Sequence, residues 1–290
     1  MKRIIIGCSN SKELAKKIAK ATNSIYSELL TRRFPDGESY LKFQCNVKNS
    51  EIIIVQSTHP SPDQAIIEAI FASKTAKELG AKKVVLVAPY LAYMRQDKRF
   101  HEGECKSNSI MAELLSCADK LITIDPHLHR ISSLKEIFKT PAIALTANHL
   151  LAKFIEKNYK NSIILGPDME SYQWAEEIAL EAHEEAIVLR KKRYSSRQVR
   201  IILREPEKVR GKTVVIIDDI VSSGHTMIEA VKQCIKAKAK KVCCVCVHGI
   251  YAENALQKIL RAGAKEVIST NTIENKTSKI DVSELVAKSL

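Results

Sequence analysis

The sequence lacks any apolar run of about 20 residues, the length that a helix needs to cross a bilayer. Its first residues, Met-Lys-Arg-Ile-Ile-Ile-Gly, are typical of the start of a strand rather than of a signal peptide. Low-complexity stretches are also missing. These absences argue against a membrane partner, and we expect a cytoplasmic protein.

Paired cysteine motifs for zinc are missing as well. Cys243 and Cys246 have the right separation for one half of such a site, but no second ligand pair accompanies them. With Cys244 they fall in one apolar run, where cysteine usually serves as a small core residue. We expect all eight cysteines to be reduced and structural.

Acidic residues are outnumbered, with 33 Asp and Glu against 46 Lys and Arg, and the formal net charge is +13. Such an excess of positive charge could bind nucleic acid, an acidic surface or small anionic substrates. Most of it is spread over Lys-rich faces, as is typical of solvated surface. One dense run of charge extends from Arg190 to Arg204. Its first part, residues 190–197, lacks helical or strand periodicity, and we expect it to form a mobile cationic loop between two strands that closes over phosphates.

Strand and helix patterns alternate along the chain, which predicts parallel sheets flanked by helices, an α/β fold. Strands are predicted at 3–6, 52–56, 83–88, 120–124, 162–165, 186–189, 214–217, 241–247 and 266–269. Helices are predicted at 62–79, 107–117, 146–158, 171–182 and 224–236. Residues 81–90 weakly resemble residues 239–248, which suggests two related halves with a boundary near residues 140–146.

The most informative segment begins at an apolar strand, 214–217, and continues into Asp218 and Asp219. Ligands of open α/β sheets bind at the carboxyl ends of strands. The next residues are small, and they can offer backbone N–H groups and hydroxyls to a phosphate at a helix N-terminus: Ser222, Ser223, Gly224 and Thr226. This pattern predicts a sugar-phosphate site, while an ordinary strand–turn–helix with solvated acids is the alternative.

Two polar segments of the first half suit a nucleotide. Residues 32–38 group two Arg, a Phe and two carboxylates in a predicted turn. Residues 95–99 follow the strand at 83–88, and their Arg side chains could face phosphates. Each segment alone could equally be a subunit interface or a surface turn.

Five segments together resemble one family across nearly the whole chain, the ribose-phosphate pyrophosphokinases, also called phosphoribosyl pyrophosphate synthetases. They are Arg33-Phe34-Pro35-Asp36-Gly37-Glu38, Arg95-Gln96-Asp97-Lys98, Asp125-Pro126-His127, Lys191-Lys192-Arg193 and the run from Asp218 to Thr226. The resemblance implies two similar domains of type I phosphoribosyltransferase-like fold, each a mostly parallel sheet flanked by helices. Residues 1–143 would carry the ATP-binding segments, and residues 144–290 the ribose 5-phosphate loop and the catalytic flexible loop.

The resemblance also implies a reaction, in which the diphosphoryl group of ATP moves to the anomeric hydroxyl of ribose 5-phosphate and yields phosphoribosyl pyrophosphate and AMP. Lys191 and Arg193 would be catalytic. ATP would be bound by Phe34, Asp36, Glu38, Arg95, Gln96, Asp97 and His127. Ribose 5-phosphate would be bound by Asp218, Asp219, Ser222, Ser223, Gly224, His225 and Thr226. Mg²⁺ is the implied cofactor, with His127 and Asp168 near the metal, and the implied assembly is a homodimer or larger homo-oligomer. Nucleic acid is not among the partners that we expect.

Three departures from the family pattern bear on this interpretation. His225 stands where Gly often precedes the last Thr, and it reaches positive φ less readily than Gly, so the turn could differ or His225 could itself touch the phosphate. Glu170 and Ser171 replace small glycines after Asp168, and an added carboxylate there could alter the metal or the acceptor sugar. Cys105 and Lys106 replace an apolar Pro-Ile pair.

Two other classes of function stay open at this point. A phosphoribosyltransferase would use the Asp218–Asp219 loop to consume phosphoribosyl pyrophosphate, but it has no evident need for the segments at 34–38 and 95–97. A non-catalytic regulatory paralogue could keep the fold as an oligomerisation partner or present its basic surface to RNA. The presence of Lys191 and Arg193 argues against that second class.

Overall fold

Runs of Ile and Val form the central strands of two separate sheets in the computed structural model, which describes residues 1–128, 130–168, 171–193, 199–203 and 205–290. In the first sheet, residues 52–55 are fully buried. Residues 214–217 are fully buried in the second sheet as well. Such runs are buried because helices cover both faces of a parallel sheet, so strands of this kind read as continuous apolar segments.

The first sheet has seven strands within the described residues, in the order β3-β2-β1-β4-β5-β6-β7. All neighbours are parallel except β2 and β3, which form an antiparallel hairpin. The strands are β1 Arg3–Gly7, β2 Ile25–Arg33, β3 Ser39–Phe43, β4 Glu51–Val55, β5 Lys83–Ala88, β6 Lys120–Ile124 and β7 Ala142–Leu145. The helices between them are α1 Lys12–Ala21, α2 Pro62–Glu78 and α3 Ser107–Leu115, with a 3-10 turn at Leu134–Glu136.

The second sheet repeats this order as β10-β9-β8-β11-β12-β13-β14. Its strands are β8 Ser162–Gly166, β9 Glu185–Arg193, β10 Val199–Leu203, β11 Thr213–Val221, β12 Lys241–Gly249, β13 Glu266–Thr270 and β14 Ser278–Ile280. The helices are α4 Asn148–Asn158, α5 Tyr172–Glu181, α6 Pro206–Val209, α7 His225–Lys236, α8 Ala255–Arg261 and α9 Ser283–Ala287, with a 3-10 turn at Ala252–Asn254. Again one hairpin, β9–β10, is antiparallel.

Turn hydrogen bonds show that the two sheets are internal repeats. The N–H of Asn49 donates to the carbonyl of Gly80 at 2.9 Å, and Gly211 donates to Lys238 at the same distance. Asn49 lies two positions before β4, and Gly211 lies two positions before β11. Both residues have positive φ. The weak likeness between residues 81–90 and 239–248 is therefore explained, because β5 and β12 hold equivalent places in the two sheets.

The chain divides into two compact units. One contains residues 1–146, 272–274 and 282–290, and the other contains residues 147–271 and 275–281. Helix α9 thus belongs to the first unit, where it packs on α1. The functional division at residues 143 and 144 stays a prediction. No helix in the described part of the chain has the length and apolar character needed to cross a membrane.

The predicted α/β class and all nine predicted strands are confirmed by the structure. The loop predicted at residues 190–197 is wrong in part, since Arg190 to Arg193 continue β9. Residues 199–203, beyond the predicted loop, form the partner strand β10. Antiparallel backbone pairing builds this hairpin, and such pairing leaves little periodic signal when the sequence is mostly charged. Residues 194–198 and 204 lie outside the described part, so the mobility of the loop stays a prediction.

Candidate functional site

The carboxyl end of β11 carries the two adjacent acids. Asp218 and Asp219 are both half-buried. The N–H of Asp219 donates to Asp218 Oδ1 at 3.1 Å, and the N–H of Ile220 donates to Asp219 Oδ1 at 2.7 Å. Backbone donors thus hold both carboxylates at the edge of the sheet where ligands of α/β folds bind.

Asp168 adds a third carboxylate from the loop that follows β8, the parallel neighbour of β11. Burial raises the pKa of Asp218 well above its usual range, and the charges of Asp219 and Asp168 raise it further. The three carboxylates therefore lie close enough to repel one another. A site of this kind favours a ligand that brings positive charge or hydroxyl donors.

The loop of Asp168 is fixed by Ser171, one of the departures from the family pattern. Ser171 donates its N–H to Asp168 Oδ1 at 3.0 Å and its hydroxyl to the Asp168 carbonyl at 2.9 Å. In return, its Oγ accepts the N–H of Asp168 at 3.1 Å. Ser171 thus orients the carboxylate rather than disturbing it. Glu170 lies outside the described residues.

The turn after β11 presents small residues at the start of α7. Ser222, Ser223 and Thr226 are half-buried. Gly224 takes φ of 74° and is the N-cap of α7. The positive φ falls on Gly224 and not on His225, so the histidine causes no backbone strain. His225 is exposed, and its Nδ1 lies 3.0 Å from Ser223 Oγ.

Lys191 and Arg193 lie on β9, which pairs with β8 in parallel. Because β8 also pairs with β11 in parallel, the carboxyl ends of β9 and β11 lie at the same edge of the sheet. Across the hairpin, Lys191 stands opposite Ile201 and Arg193 opposite Val199. The structure thus places the two cations on strands rather than in a loop, and their catalytic role stays a prediction.

In the first unit, Phe34 to Glu38 form the turn of the β2–β3 hairpin. The N–H of Phe34 donates to the carbonyl of Glu38 at 2.9 Å, and the N–H of Glu38 donates to Asp36 Oδ1 at 3.1 Å. Phe34 is 49% exposed and packs edge-on against Tyr40, with ring centroids 5.9 Å apart. The turn therefore offers an aromatic face and two carboxylates to solvent, and ATP binding there stays a prediction.

In the segment after β5, the buried Asp97 forms an ion pair with the exposed Arg130, which the sequence did not reveal. Asp97 is 6% exposed, and Arg130 Nη1 donates to its Oδ1 at 2.8 Å. Arg95 is exposed and Gln96 is half-buried. Asp97 therefore differs from Arg95 and Gln96, because it is buried and its carboxylate already accepts a hydrogen bond from Arg130. Nothing in the local sequence around Asp97 points to this contact, because Arg130 is 33 residues further along the chain.

His127 follows β6 and is half-buried. It lies in the same unit as the segments 34–38 and 95–97. His129, which we expect from the sequence to be a surface or turn residue, lies outside the described residues. Within the described residues, no group of three or more His, Cys, Asp or Glu side chains forms a ready metal site, and the assignment of His127 to a metal stays a prediction.

The residues of the second unit nevertheless fit Mg²⁺ chemically. Asp168, Asp218 and Asp219 supply oxygen ligands, which hard cations prefer. Magnesium takes only a few protein ligands and keeps waters and phosphate oxygens for the rest. A divalent cation would also offset the mutual repulsion that raises the pKa of Asp218.

The equivalent edge of the first sheet is built differently. Gln56 and Ser57 follow β4 at the positions that Asp218 and Asp219 hold at the end of β11. Gln56 is fully buried; its Nε2 donates to Ser9 Oγ at 3.1 Å, and its Oε1 accepts the N–H of Asn10 at 3.1 Å. Ser9 in turn donates its hydroxyl to Glu68 Oε2 at 2.7 Å. In the first unit, a network of hydrogen bonds therefore occupies the positions where the second unit has its acidic pair.

Comparisons with known proteins agree with this architecture. Residues 133–286 match the phosphoribosyl transferase domain family, and residues 3–118 match the N-terminal domain of ribose phosphate pyrophosphokinase. The ribose-phosphate pyrophosphokinase of Methanobrevibacter smithii is 35% identical over 99% of both chains. That of Sulfurisphaera tokodaii is 33% identical over 99% of this chain and all of its own.

A solved structure gives the same result. The phosphoribosylpyrophosphate synthetase of Mycobacterium smegmatis superposes with a TM-score of 0.85 and 26% identity, over 99% of this chain and 97% of that one. The fold defines a protein with phosphoribosyltransferase-type domains. The chain belongs to the ribose-phosphate pyrophosphokinase family, as the five sequence segments predicted.

Proposed function

We propose that the chain transfers the diphosphoryl group of ATP to the anomeric hydroxyl of ribose 5-phosphate, forming phosphoribosyl pyrophosphate and AMP. The observation that carries this proposal is the family relationship over the full length of the chain, including the N-terminal domain that is particular to pyrophosphokinases. A phosphoribosyltransferase that only consumes phosphoribosyl pyrophosphate would account for the second unit alone.

The assignment of ribose 5-phosphate to the second unit is supported by the acids and the turn at the end of β11. The 5-phosphate would bind the backbone N–H groups and hydroxyls from Ser222 to Thr226, where the start of α7 favours an anion. The ribose hydroxyls would donate to Asp218 and Asp219. In this arrangement the carboxylates orient the sugar, and the anomeric hydroxyl is left free to react.

The reaction needs charge stabilisation more than a covalent nucleophile. The anomeric hydroxyl attacks the β-phosphorus of ATP and loses its proton to solvent, the bond from that phosphorus to the α,β-bridging oxygen breaks, and AMP leaves. Negative charge develops on the phosphate oxygens during this step. Lys191 and Arg193 would stabilise that charge, because cations placed at developing charge lower the barrier to reaction.

We propose Mg²⁺ as the cofactor, held by Asp168, Asp218 and Asp219 on the ribose side and by His127 with ATP. When bound, the ion would neutralise phosphate charge. In the first unit, Arg95 and Gln96 would contact ATP directly, as would Phe34, Asp36 and Glu38. Asp97 would contribute by fixing the segment through Arg130, since its carboxylate is buried in that ion pair.

A direct assay tests the proposed function. Purified protein is incubated with ATP, ribose 5-phosphate and Mg²⁺, and the products are separated by chromatography. We expect equal amounts of AMP and phosphoribosyl pyrophosphate, with no AMP when ribose 5-phosphate is omitted. ADP in place of AMP, or consumption of phosphoribosyl pyrophosphate without need for ATP, would contradict the proposal. The homo-oligomer and the cytoplasmic location stay predictions, and light scattering of the purified chain tests the first of them.

A further inference from the structure

The second unit contains an open cleft of about 500 Å³ at the amino ends of β8, β9 and β11. This edge is opposite to the one that carries the acids. Along β11, the cleft residue Thr213 is five residues before Asp218, which corresponds to roughly 17 Å of extended strand. The cleft is therefore separate from the site proposed for ribose 5-phosphate.

Three lysines line this cleft: Lys160, Lys212 and Lys240. All three are exposed. Among the described residues, none of their ammonium groups lies within 4.0 Å of a carboxylate. Three cations that share a concave surface without ion pairs repel one another, so an anion between them would be favoured.

The cleft also contains two acids, and one of them is paired with a cation other than the three lysines. Glu185 accepts from Lys208 Nζ at 2.8 Å. Burial raises the pKa of Glu184, and the nearby backbone N–H groups of Asn161 and Ser162, together with the charge of Lys212, lower it. Neither acid forms an ion pair with the three lysines, and the cleft keeps an excess of positive charge.

Ser162 forms part of the cleft wall and adds a second observation. It is 2% exposed, and its hydroxyl has no hydrogen-bond partner within the described residues. A buried hydroxyl without a partner costs about 1–3 kcal/mol. The wall of the cleft thus contains an unsatisfied polar group as well as the three cations.

The amino edge of the first sheet also carries cations, but their environment differs from that of the three lysines. Arg3 Nη2 donates to the backbone oxygen of Leu290 at 3.0 Å, and Lys120 Nζ donates to that of Ser289 at 2.9 Å. Cations at the amino edge of that sheet therefore receive oxygen acceptors from the chain itself. The cleft in the second unit is open to receive them from a ligand.

We propose that this cleft binds a small phosphate-bearing molecule. Its volume lies within the range of about 300–1,000 Å³ that is typical of ligand pockets, which is more than one inorganic phosphate fills. Lysine ammonium groups offer only donors and act as point charges toward phosphate. The proposal concerns binding at a second site, and it does not depend on the reaction proposed above.

Equilibrium dialysis tests the proposal, with radiolabelled inorganic pyrophosphate as the probe in magnesium-free buffer of fixed ionic strength. The site variant is K160A/K212A/K240A in the full chain. The matched control is K153A/K157A/K236A, which removes the same number of charges from α4 and α7. We expect the site variant to bind one pyrophosphate fewer per chain than the unsubstituted protein, and the control to bind the same number.

Two results would overturn the proposal. One is equal pyrophosphate binding by the site variant and the unsubstituted protein. The other is an equal loss in both variants, since that would reflect overall charge rather than a site. Turnover without added pyrophosphate should stay within about twofold in both variants, because single-site electrostatic changes roughly 17 Å away are largely screened at physiological salt. If the triple variant does not fold, Lys212→Ala alone should weaken pyrophosphate binding at least tenfold, and unchanged binding would again refute the site.

Discussion

Asp219 and Ser57 hold the same position in two similar sheets. Asp219 is preceded by a second carboxylate, Asp218, whereas neither Ser57 nor the residue before it is acidic. Gln56, the counterpart of Asp218, is instead used inside a buried network. One pair of side chains at the end of a strand thus distinguishes the two units. The same pair was visible in the sequence, because it directly follows an apolar run.

Replacing Asp219 tests its proposed contact with the sugar. Asp219→Asn should raise the KM for ribose 5-phosphate by about tenfold to a hundredfold, since hydrogen bonds to a charged group contribute about 1.5–3 kcal/mol. The KM for ATP should change little. Steady-state kinetics with each substrate varied in turn measures both constants, and Glu229→Gln on α7 is the control. A change confined to ATP would contradict the assignment of the two substrates.

Lys191 is predicted to act on the reaction itself rather than on the fold. Lys191→Ala should lower kcat by about a hundredfold or more, as is usual when one group that stabilises transition-state charge is removed. Its midpoint of thermal unfolding should stay unchanged. Rapid-quench measurement of AMP formation gives the rate, with Lys236→Ala as the control. Unimpaired turnover in Lys191→Ala would remove this residue from the mechanism.

The ion pair between Asp97 and Arg130 predicts a non-additive effect on stability. Arg130→Met should lower the free energy of unfolding by about 1–3 kcal/mol, because it leaves the Asp97 carboxylate buried without its donor. Adding Asp97→Asn should recover most of that loss. Urea denaturation of both single variants and the double variant completes the cycle. Additive losses would show that the pair is not coupled.

No sequence pattern indicated this pair, since its members are 33 residues apart in the chain. Their partnership depends on the loops after β5 and β6, which become neighbours only when the two strands pair. The spacing of neighbouring residues in the sequence cannot predict such a long-range contact. The contact of Ser171 with Asp168, by contrast, spans three residues and is of a kind that turn-forming residues commonly make.

The strands were predictable to the extent that they are buried on both faces. Residues 52–55 and 214–217 are apolar throughout, and both were found. Five strands were missed because they lie at or near a sheet edge, and all but β7 carry polar residues: β2, β3, β7, β10 and β14. An edge strand is defined by backbone hydrogen bonds to one neighbour, and its sequence need not be continuously apolar.

The start of α7 predicts a strong effect of one substitution. Gly224 has φ of 74°, and a Cβ there would lie 3.0 Å from Ala255 Cβ and 3.2 Å from Ile259 Cδ1. Gly224→Ala should therefore lower the free energy of unfolding by about 1–3 kcal/mol. It should also weaken ribose 5-phosphate binding by displacing the turn. Chemical denaturation and titration calorimetry measure the two effects, and Gly211→Ala, with positive φ but open space around it, is the control. Equal losses in both variants would mean that crowding against α8 is irrelevant.

The duplicated architecture predicts a simple binding ratio for the full chain. Two sheets of the same order could suggest two sugar-phosphate sites, but Gln56 and Ser57 replace the acids in the first unit. Titration calorimetry with ribose 5-phosphate and Mg²⁺, without ATP, should give one site per chain in K160A/K212A/K240A, in which the lysine cleft cannot contribute. Asp218→Asn with Asp219→Asn should abolish this binding, whereas Gln56→Ala should leave the ratio unchanged. A ratio of two would show that the first unit binds the sugar as well.

Helix α9 has a consequence for how the polypeptide matures on the ribosome. Residues 1–146 leave the exit tunnel long before residues 282–290, which complete the same unit and supply the oxygens that Arg3 and Lys120 bind. At usual elongation rates the delay is on the order of ten seconds. For that interval the part of α1 that α9 covers stays exposed, and a nascent chain released during it would present this surface to chaperones.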